Sequence, residues 1–436
     1  MPVELTIHAR AIESPVLKYR LFPIEAELKP GNAAVILLRI PWEETVYFTK
    51  VVPTLHDWNA RPLTDPEWKN VPDLSPFYDE MKRAAFRRDA SWDYPIGETP
   101  FNFILLPDVQ GLRALLGYGL SADIRYLLSR GELCEARERI LVGLANGRHL
   151  AQTPIFVNQL VAATIHRSML DRVADLIAQP DSANLYWALS MLPDSLLQLD
   201  RAASLEASAF VMSFPAANEL DRPRDPAQWK KMFIQLVEFL NLNSNPSNAD
   251  PKDVDTCRAR LAQFGRAELP ALLQIPGEQI AAMSDDEASV RWFVAVKAGY
   301  DQRISTVLCL TPREAWPRLD ELQTELDAFR KRIDMEAFNW ANPTSIYVSV
   351  WSVKRQIQAL RIIEAVRHHL ATHEDKLPAS LADITAFSIP MDPLTDQPFE
   401  WTVVDTNTAT LRAMFLPAGD LKSRPELQTN FLLHVK

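Results

Sequence analysis

Glycine is scarce in this chain, with 12 residues against 32 prolines in a total of 436. Backbone cradles for phosphate need glycines, and no GxGxxG or GxxxxGK string occurs, which removes the common nucleotide-binding loops. No GxSxG string occurs either, so a nucleophile elbow is missing. Cysteine is equally sparse. Cys134, Cys257 and Cys309 are far apart, odd in number and without a nearby histidine, a pattern of buried free thiols rather than of a disulfide framework or a zinc site. The longest uncharged apolar run is Ala33 to Leu38, closed by Arg39 and Pro41, far short of a bilayer span. Net positive charge is also lacking. At −10 the chain repels polyphosphate, and its basic clusters, MKRAAFRR (Met81 to Arg88) and RKR (Arg330 to Arg332), lie in acid-rich helical surroundings. Nucleic acid is therefore not an expected partner.

What is present is globular: 47% hydrophobic and 23% charged residues support a large core, and the length predicts two or three domains. Twelve prolines fall in the first hundred residues, where apolar periods are short. Residues 1–100 read as a mixed segment of strands and short helices. MPVELTIHAR alternates Val3, Leu5 and Ile7 in strand fashion, and Ser75 to Asp89 reads as a helix with Ser75 as cap and Pro76 at N1. The opening carries no leader pattern, so the chain is read as cytosolic or as a mature domain whose leader was removed.

Residues 101–345 read as a helical array. Val109, Leu112, Leu116, Ile124 and Leu127 mark one helix closed by Gly131; Leu133, Ala136, Ile140, Leu144 and Leu150 mark the next. Further helices are expected around Val157 to Ile177, Ser182 to Leu192, Ser195 to Phe214, Pro226 to Leu242, Pro251 to Leu273, Asp285 to Leu310, and Pro312 to Ile333, with a polar turn at Asn241 to Pro251. Residues 346–436 read as a long helix within Ser345 to Thr372, a short one in LPASLADI, and a β module from FEWTVVD, TATLRAMF and Phe431 to Val435. The fold class is mainly α: an irregular array of antiparallel helical hairpins with a small α+β C-terminal module. GELCEARERILVG, with Gly131, Ala136, Ile140 and Gly143, resembles the second helix of a tetratricopeptide unit, so the array is tetratricopeptide-like in part.

Chemistry is weakly marked. His369 and His373 stand one helical turn apart and could hold a metal if a third ligand came from elsewhere, against a helix C-terminus where imidazole meets the dipole. Fifty-six acidic residues make some close carboxylate pair inevitable, which strips such a pair of value. Asp194, Asp200 and Glu206 are six residues apart, a poor match to one helix face. Aromatics are more distinctive: Tyr186-Trp187, Trp340 with Tyr347, and Trp351 could line a groove for peptide or carbohydrate, or fill wide helix interfaces.

PVLKYRLFP followed by PGNAA (Pro15 to Ala34), PIFVNQLVAATIH (Pro154 to His166) and NLYWALSMLPDSLLQLDRAASLE (Asn184 to Glu206) resemble an uncharacterised planctomycete protein family whose members typically carry an export signal. The resemblance covers most of the first 215 residues and implies location and helical architecture, with no activity attached. IPWEETVYFTK departs from the family's aromatic-rich continuation. Separately, LRIIEAVRHHLATHEDKLPASLADI and IPMDPLTDQPFEW are similar to pseudopilin-like tails, with Leu377, Pro378, Leu381, Asp392, Pro393 and Pro398 in the motif positions. The apolar helix through which pseudopilins polymerise is absent.

The reading is an extracytoplasmic, secreted or periplasmic, interaction scaffold for a protein partner. Tyr186, Trp187, Asp200, Arg201 and Glu206 are its candidate binding residues, and no cofactor is implied. The alternatives are a hydrolase acting on cell-wall or surface carbohydrate through paired carboxylates, and a cytosolic regulatory scaffold.

Overall fold

The computed structural model describes residues 2–15, 17–43, 50–72, 75–94, 109–242, 254–333, 338, 340–413 and 429–436. Strand β1 (Val3–Ile7) and strand β2 (Lys29–Asn32) precede helices α1 (Ala33–Glu43), α2 (Val52–Ala60) and α3 (Ser75–Ala85), then strand β3 (Arg87–Asp89). The helical array follows as α4 (Val109–Leu112), a π-helical stretch (Arg113–Gly119), α5 (Leu120–Ser129), α6 (Leu133–Ala151), α7 (Phe156–Ile177), α8 (Tyr186–Ser190), α9 (Leu199–Ser213), α10 (Pro226–Leu242), α11 (Val254–Leu273), α12 (Gly277–Ala282), α13 (Asp285–Leu308) and α14 (Pro312–Ile333). The long α15 (Pro343–Thr372) leads into β4 (Glu400–Asp405), β5 (Thr408–Arg412) and β6 (Asn430–Val435). The fold is mainly α with a small mixed sheet, and among the described residues no helix is long and apolar enough to cross a membrane.

Local chemistry sets the boundaries. Gly131 takes φ +75° after α5, and the amides of Gly131 and Glu132 return to the Leu128 and Leu127 carbonyls, a left-handed C-cap that turns the chain into α6. Asp225 and Gln228 cap α10 reciprocally: each side chain accepts the other's backbone N–H, at 2.8 and 3.0 Å. Two orphan donors are satisfied at once, as in the capping box that Ser or Thr builds with Glu or Gln. Asn342 caps α15 by accepting from the Ser345 amide at 2.8 Å. Gly147 lets α6 approach α7 closely, since a Cβ there would lie 2.7 Å from His166 Cε1.

Four expectations change. The helix from Ser75 stops at Ala85: the Phe86 carbonyl accepts from Lys29, and Arg87 to Asp89 pair in parallel with Lys29 to Asn32. Helix α8 occupies only five residues of the Ser182 to Leu192 stretch, because Asn184 spends its side chain on bridging and Pro193 follows. The region around LPASLADI holds a single 3₁₀ turn, Leu381–Asp383, capped by Ser380. Only Cys257 is buried, whereas the free thiols Cys134 and Cys309 are exposed; both lie at ends of helices rather than on packed faces. The polar turn expected at Asn241 to Pro251 begins later, since Asn241 and Leu242 still belong to α10, and its remainder, with the cap at Asp250-Pro251, lies outside the described residues.

The sheet runs β1-β6-β5-β4. β1 pairs in parallel with β6, Val3 opposite Phe431 and Ile7 opposite Val435, so the first strand is built into the C-terminal module. Buried apolar side chains form two clusters. The larger joins β1, α1, α3, α5 to α8, α15 and the sheet, and the smaller joins α9 to α14 around Phe233, Trp292, Phe293 and Phe338.

Helix α15 is buried nearly all round and carries two desolvated ion pairs. Arg355 Nε and Nη2 donate to the Asp392 carboxylate at 2.9 and 2.6 Å, with both side chains almost wholly buried. Asp392 also accepts from the Leu394 amide and the Thr395 hydroxyl, which ties the loop before β4 to α15. One helical stretch on, Arg367 donates to both oxygens of Glu364 at 3.0 Å, with neither side chain exposed. Its other N–H groups reach the carbonyls of His8 and Ser182 and the Ser182 hydroxyl. Burial pushes the Glu364 carboxyl up, against the pull of Arg367. Buried pairs of this kind are expensive to break from one side.

Candidate functional site

The aromatic pair singled out in the sequence sits on α8 where the helical array meets the C-terminal module. Asn184 sets it in place. Its Nδ2 donates to the Glu364 carbonyl at 2.8 Å and the Arg10 carbonyl at 3.1 Å, while its Oδ1 accepts from the Tyr186 amide at 3.1 Å. Successive residues on a helix point about 100° apart, and here the two rings separate accordingly. Tyr186 turns inward and is 2% exposed; Trp187 turns outward and is 38% exposed.

Tyr186 is fixed from several sides. Its hydroxyl donates to the Ser388 carbonyl at 2.9 Å and accepts from Arg361 Nη2 at 3.2 Å. The Phe387 ring lies 4.3 Å away and the Arg361 guanidinium 5.1 Å above the tyrosine face. Trp187 meets Tyr186 edge-on at 5.3 Å and Phe387 at 6.4 Å. One turn beyond Trp187, Met191 is 62% exposed. The floor of the site is thus rigid and its apolar rim faces solvent. Behind it, His368 stacks edge-on to Phe387 at 5.0 Å and its Nδ1 accepts from the Ile12 amide at 3.2 Å.

Along α15 the floor extends as a strip. Trp351, Lys354, Gln358 and Arg361 share one face by helical spacing, and all are half-buried. Trp351 stacks on Tyr347 at 5.8 Å, and the Lys354 ammonium lies 4.5 Å from the Trp351 ring. Arg361 Nη1 donates to Gln358 Oε1 at 2.6 Å, and its Nε is buried without an acceptor. Neither Lys354 nor Arg361 meets a carboxylate among the described residues.

The other candidates do not join this site. Asp200 and Arg201 are exposed at the start of α9, and Arg201 donates to Gln198 at 2.6 Å instead of pairing with Asp200. Glu206 accepts from the Phe156 amide at 3.1 Å, placing its carboxylate at the N-terminus of α7, where the helix dipole favours it. Burial pushes its carboxyl up and Asp301 adds to this, while the Phe156 amide and Lys297 pull it down. Asp301 is likewise pushed up by burial. Both its oxygens are engaged, by Lys297 Nζ at 2.6 and 2.7 Å and by Trp340 Nε1 at 2.6 Å. This charged group joins α9, α13 and α7 and leaves Asp301 no free oxygen for acid or base work. Trp340 packs against Tyr300, Phe329 and Phe338 within the smaller core.

His369 and His373 stack face to face at 3.9 Å with planes 8° apart. A metal lies in the plane of each imidazole that ligates it, and parallel stacked rings have no common in-plane point. Among the described residues no three His, Cys, Asp or Glu side chains group as a metal site requires. Three members of the site, Met191, Arg361 and Phe387, escaped sequence reasoning. Only the Trp351–Lys354–Gln358–Arg361 spacing offered a signal, and it needed knowledge of which face of α15 stays open. No family model, curated protein or solved structure matches this chain.

Proposed function

We propose that this chain is an interaction scaffold that works outside the cytoplasm and docks a protein partner on the Trp187–Met191–Phe387 rim. The observation that carries the reading is the division of labour on α8. Trp187 and Met191 offer exposed apolar surface, while Tyr186 is locked below by a hydroxyl chain running from Arg361 to Ser388. An anchor held in place before binding loses little side-chain entropy when a partner covers it, and tryptophan on such a frame dominates binding energy in known interfaces. The location rests on the resemblance to exported planctomycete proteins. A cytosolic scaffold is the second reading, favoured by the exposed free thiols Cys134 and Cys309, which an oxidising compartment tends to consume.

A photoreactive amino acid at position 187, expressed in the source cells, tests the docking surface, with one at the exposed Ile234 of α10 as control. The expected result is a discrete crosslinked protein from position 187 alone, whose purified form binds the Trp187→Ala variant at least roughly tenfold more weakly. Crosslinking of equal pattern at both positions, or undiminished binding by Trp187→Ala, would overturn the reading. Cell fractionation of the tagged full chain decides between the two compartments.

A further inference from the structure

We infer that the strip formed by Trp351, Lys354, Gln358 and Arg361 recognises an acidic, extended segment of the partner, a conclusion that rests on the docking role of the adjoining Trp187 rim. The starting point is a charge left uncompensated. A guanidinium withdrawn from water normally sits on a carboxylate, and elsewhere in this molecule Arg355 and Arg367 do so. Arg361 is half-buried, and among the described residues it is held by neutral groups alone: the Gln358 amide oxygen, the Tyr186 hydroxyl and the Tyr186 ring. Its Nε–H is buried without an acceptor. Two turns earlier on the same face, Lys354 rests on the Trp351 ring and makes no ion pair among the described residues. On a chain of net charge −10, where acidic side chains are plentiful, two neighbouring cations without one form a locally positive strip.

The spacing narrows the ligand. Positions 354 and 361 lie seven residues apart on a helix, about 10 Å along its axis at 1.5 Å per residue. A polyproline-type segment presents residues i and i+3 on one side about 9 Å apart. Such segments also dock on aromatic-lined surfaces, because they enter already extended. Trp351 and the Tyr186–Trp187 pair flank the two cations at opposite ends of the strip. The ligand class is therefore an extended, proline-containing peptide with carboxylates at every third position.

The test uses the purified full chain and labelled Glu-Pro-Pro repeat peptides, with Gln-Pro-Pro repeats of equal length as the neutral control. The expected result is binding of the acidic peptide alone, weakening as salt rises from about 50 to about 200 mM. Lys354→Glu, which removes no hydrogen bond among the described residues, should reduce affinity roughly tenfold or more, while Lys69→Glu on an exposed turn leaves it unchanged. Equal binding of both peptides, equal loss with Lys69→Glu, no effect of Lys354→Glu, no peptide binding at all, or binding of an anionic polysaccharide in preference to peptide each overturns the inference. If the position-187 crosslink delivers a partner without an acidic segment, the inference falls while the scaffold stands. If the peptides bind as expected and position 187 captures nothing, the docking rim falls instead.

Discussion

Asp392→Asn is expected to loosen the C-terminal module from α15. The native carboxylate accepts on both oxygens: Oδ1 takes Arg355 Nε and the Leu394 amide, and Oδ2 takes Arg355 Nη2 and the Thr395 hydroxyl. Asparagine replaces one acceptor with a donor, so Arg355 loses an acceptor in either orientation, and in one of them the Leu394 amide loses its acceptor as well, in a site that water does not reach; the Thr395 hydroxyl can turn to accept instead. At about 1–3 kcal/mol for each unsatisfied buried group, the loss falls in the same range as the roughly 3–5 kcal/mol typical of breaking a buried ion pair from one side. Chemical denaturation followed by fluorescence is a suitable assay, because Trp316 Nε1 donates to the Leu394 carbonyl in this same loop. Hydrogen exchange should show lost protection concentrated in residues 377–412. The double variant Arg355→Met/Asp392→Asn should cost clearly less than the sum of the two single changes, with a coupling of about 3 kcal/mol. Single variants below about 1 kcal/mol that add without coupling would refute the idea that this pair fastens the module.

Acid should weaken the packing of α6 against α7 and the end of α3. Burial lowers both His149 and His166 to about 4, so the native state binds fewer protons than the unfolded chain between that value and about 6.5, and stability falls as pH drops through this window. Near pH 5 the loss is about 2 kcal/mol per imidazole. The raised carboxyls Glu206, Asp301 and Glu364 act in the opposite sense, losing their burial cost as they take up protons. His166→Gln should therefore flatten the acid limb of the thermal midpoint, and an unchanged limb would show that the imidazole is not the proton acceptor. Gly147→Ala, which drives a Cβ against His166, is expected to cost about 1–3 kcal/mol. Gly131→Ala meets no atom within 4 Å and should cost about 1 kcal/mol from its positive φ; equal thermal shifts for the two would contradict the close α6–α7 approach.

Much of the helical architecture was legible because its determinants are local. Gly131 and the 3.6-residue periods need only their neighbours, and they placed α6, α7, α10 and α13 within a few residues, whereas the helix marked from Val109 to Leu127 runs through α4 and a π-helical stretch before α5. Arg87 to Asp89 misled because the charge pattern of α3 continues unbroken through them, whereas the competing partner, Lys29 to Asn32, lies more than fifty residues away in sequence. The same limitation hid the role of Asp392. Its motif position was visible, but Arg355 beneath it was not, since an ion pair between α15 and a loop leaves no periodic trace. At the site, the Tyr186-Trp187 dipeptide drew notice through its composition alone. That one ring is a floor and the other a rim follows from the 100° step of α8 and from Phe387 arriving from a distant part of the chain. Asp200 and Glu206 separated as their six-residue spacing implied, one into solvent and the other onto the start of α7.

The parallel pairing of Val3–Ile7 with Asn430–Val435 has a consequence for biosynthesis. During translation β1 is made more than four hundred residues before β6, the strand it pairs with. Pairings this remote in sequence carry a high closure cost and form slowly. An exposed strand edge in the meantime is open to chaperones or to a neighbouring nascent chain. Deleting residues 2–8 should therefore alter yield in cells through a β6 left uncovered along its outer side, even where the helical array assembles unaided.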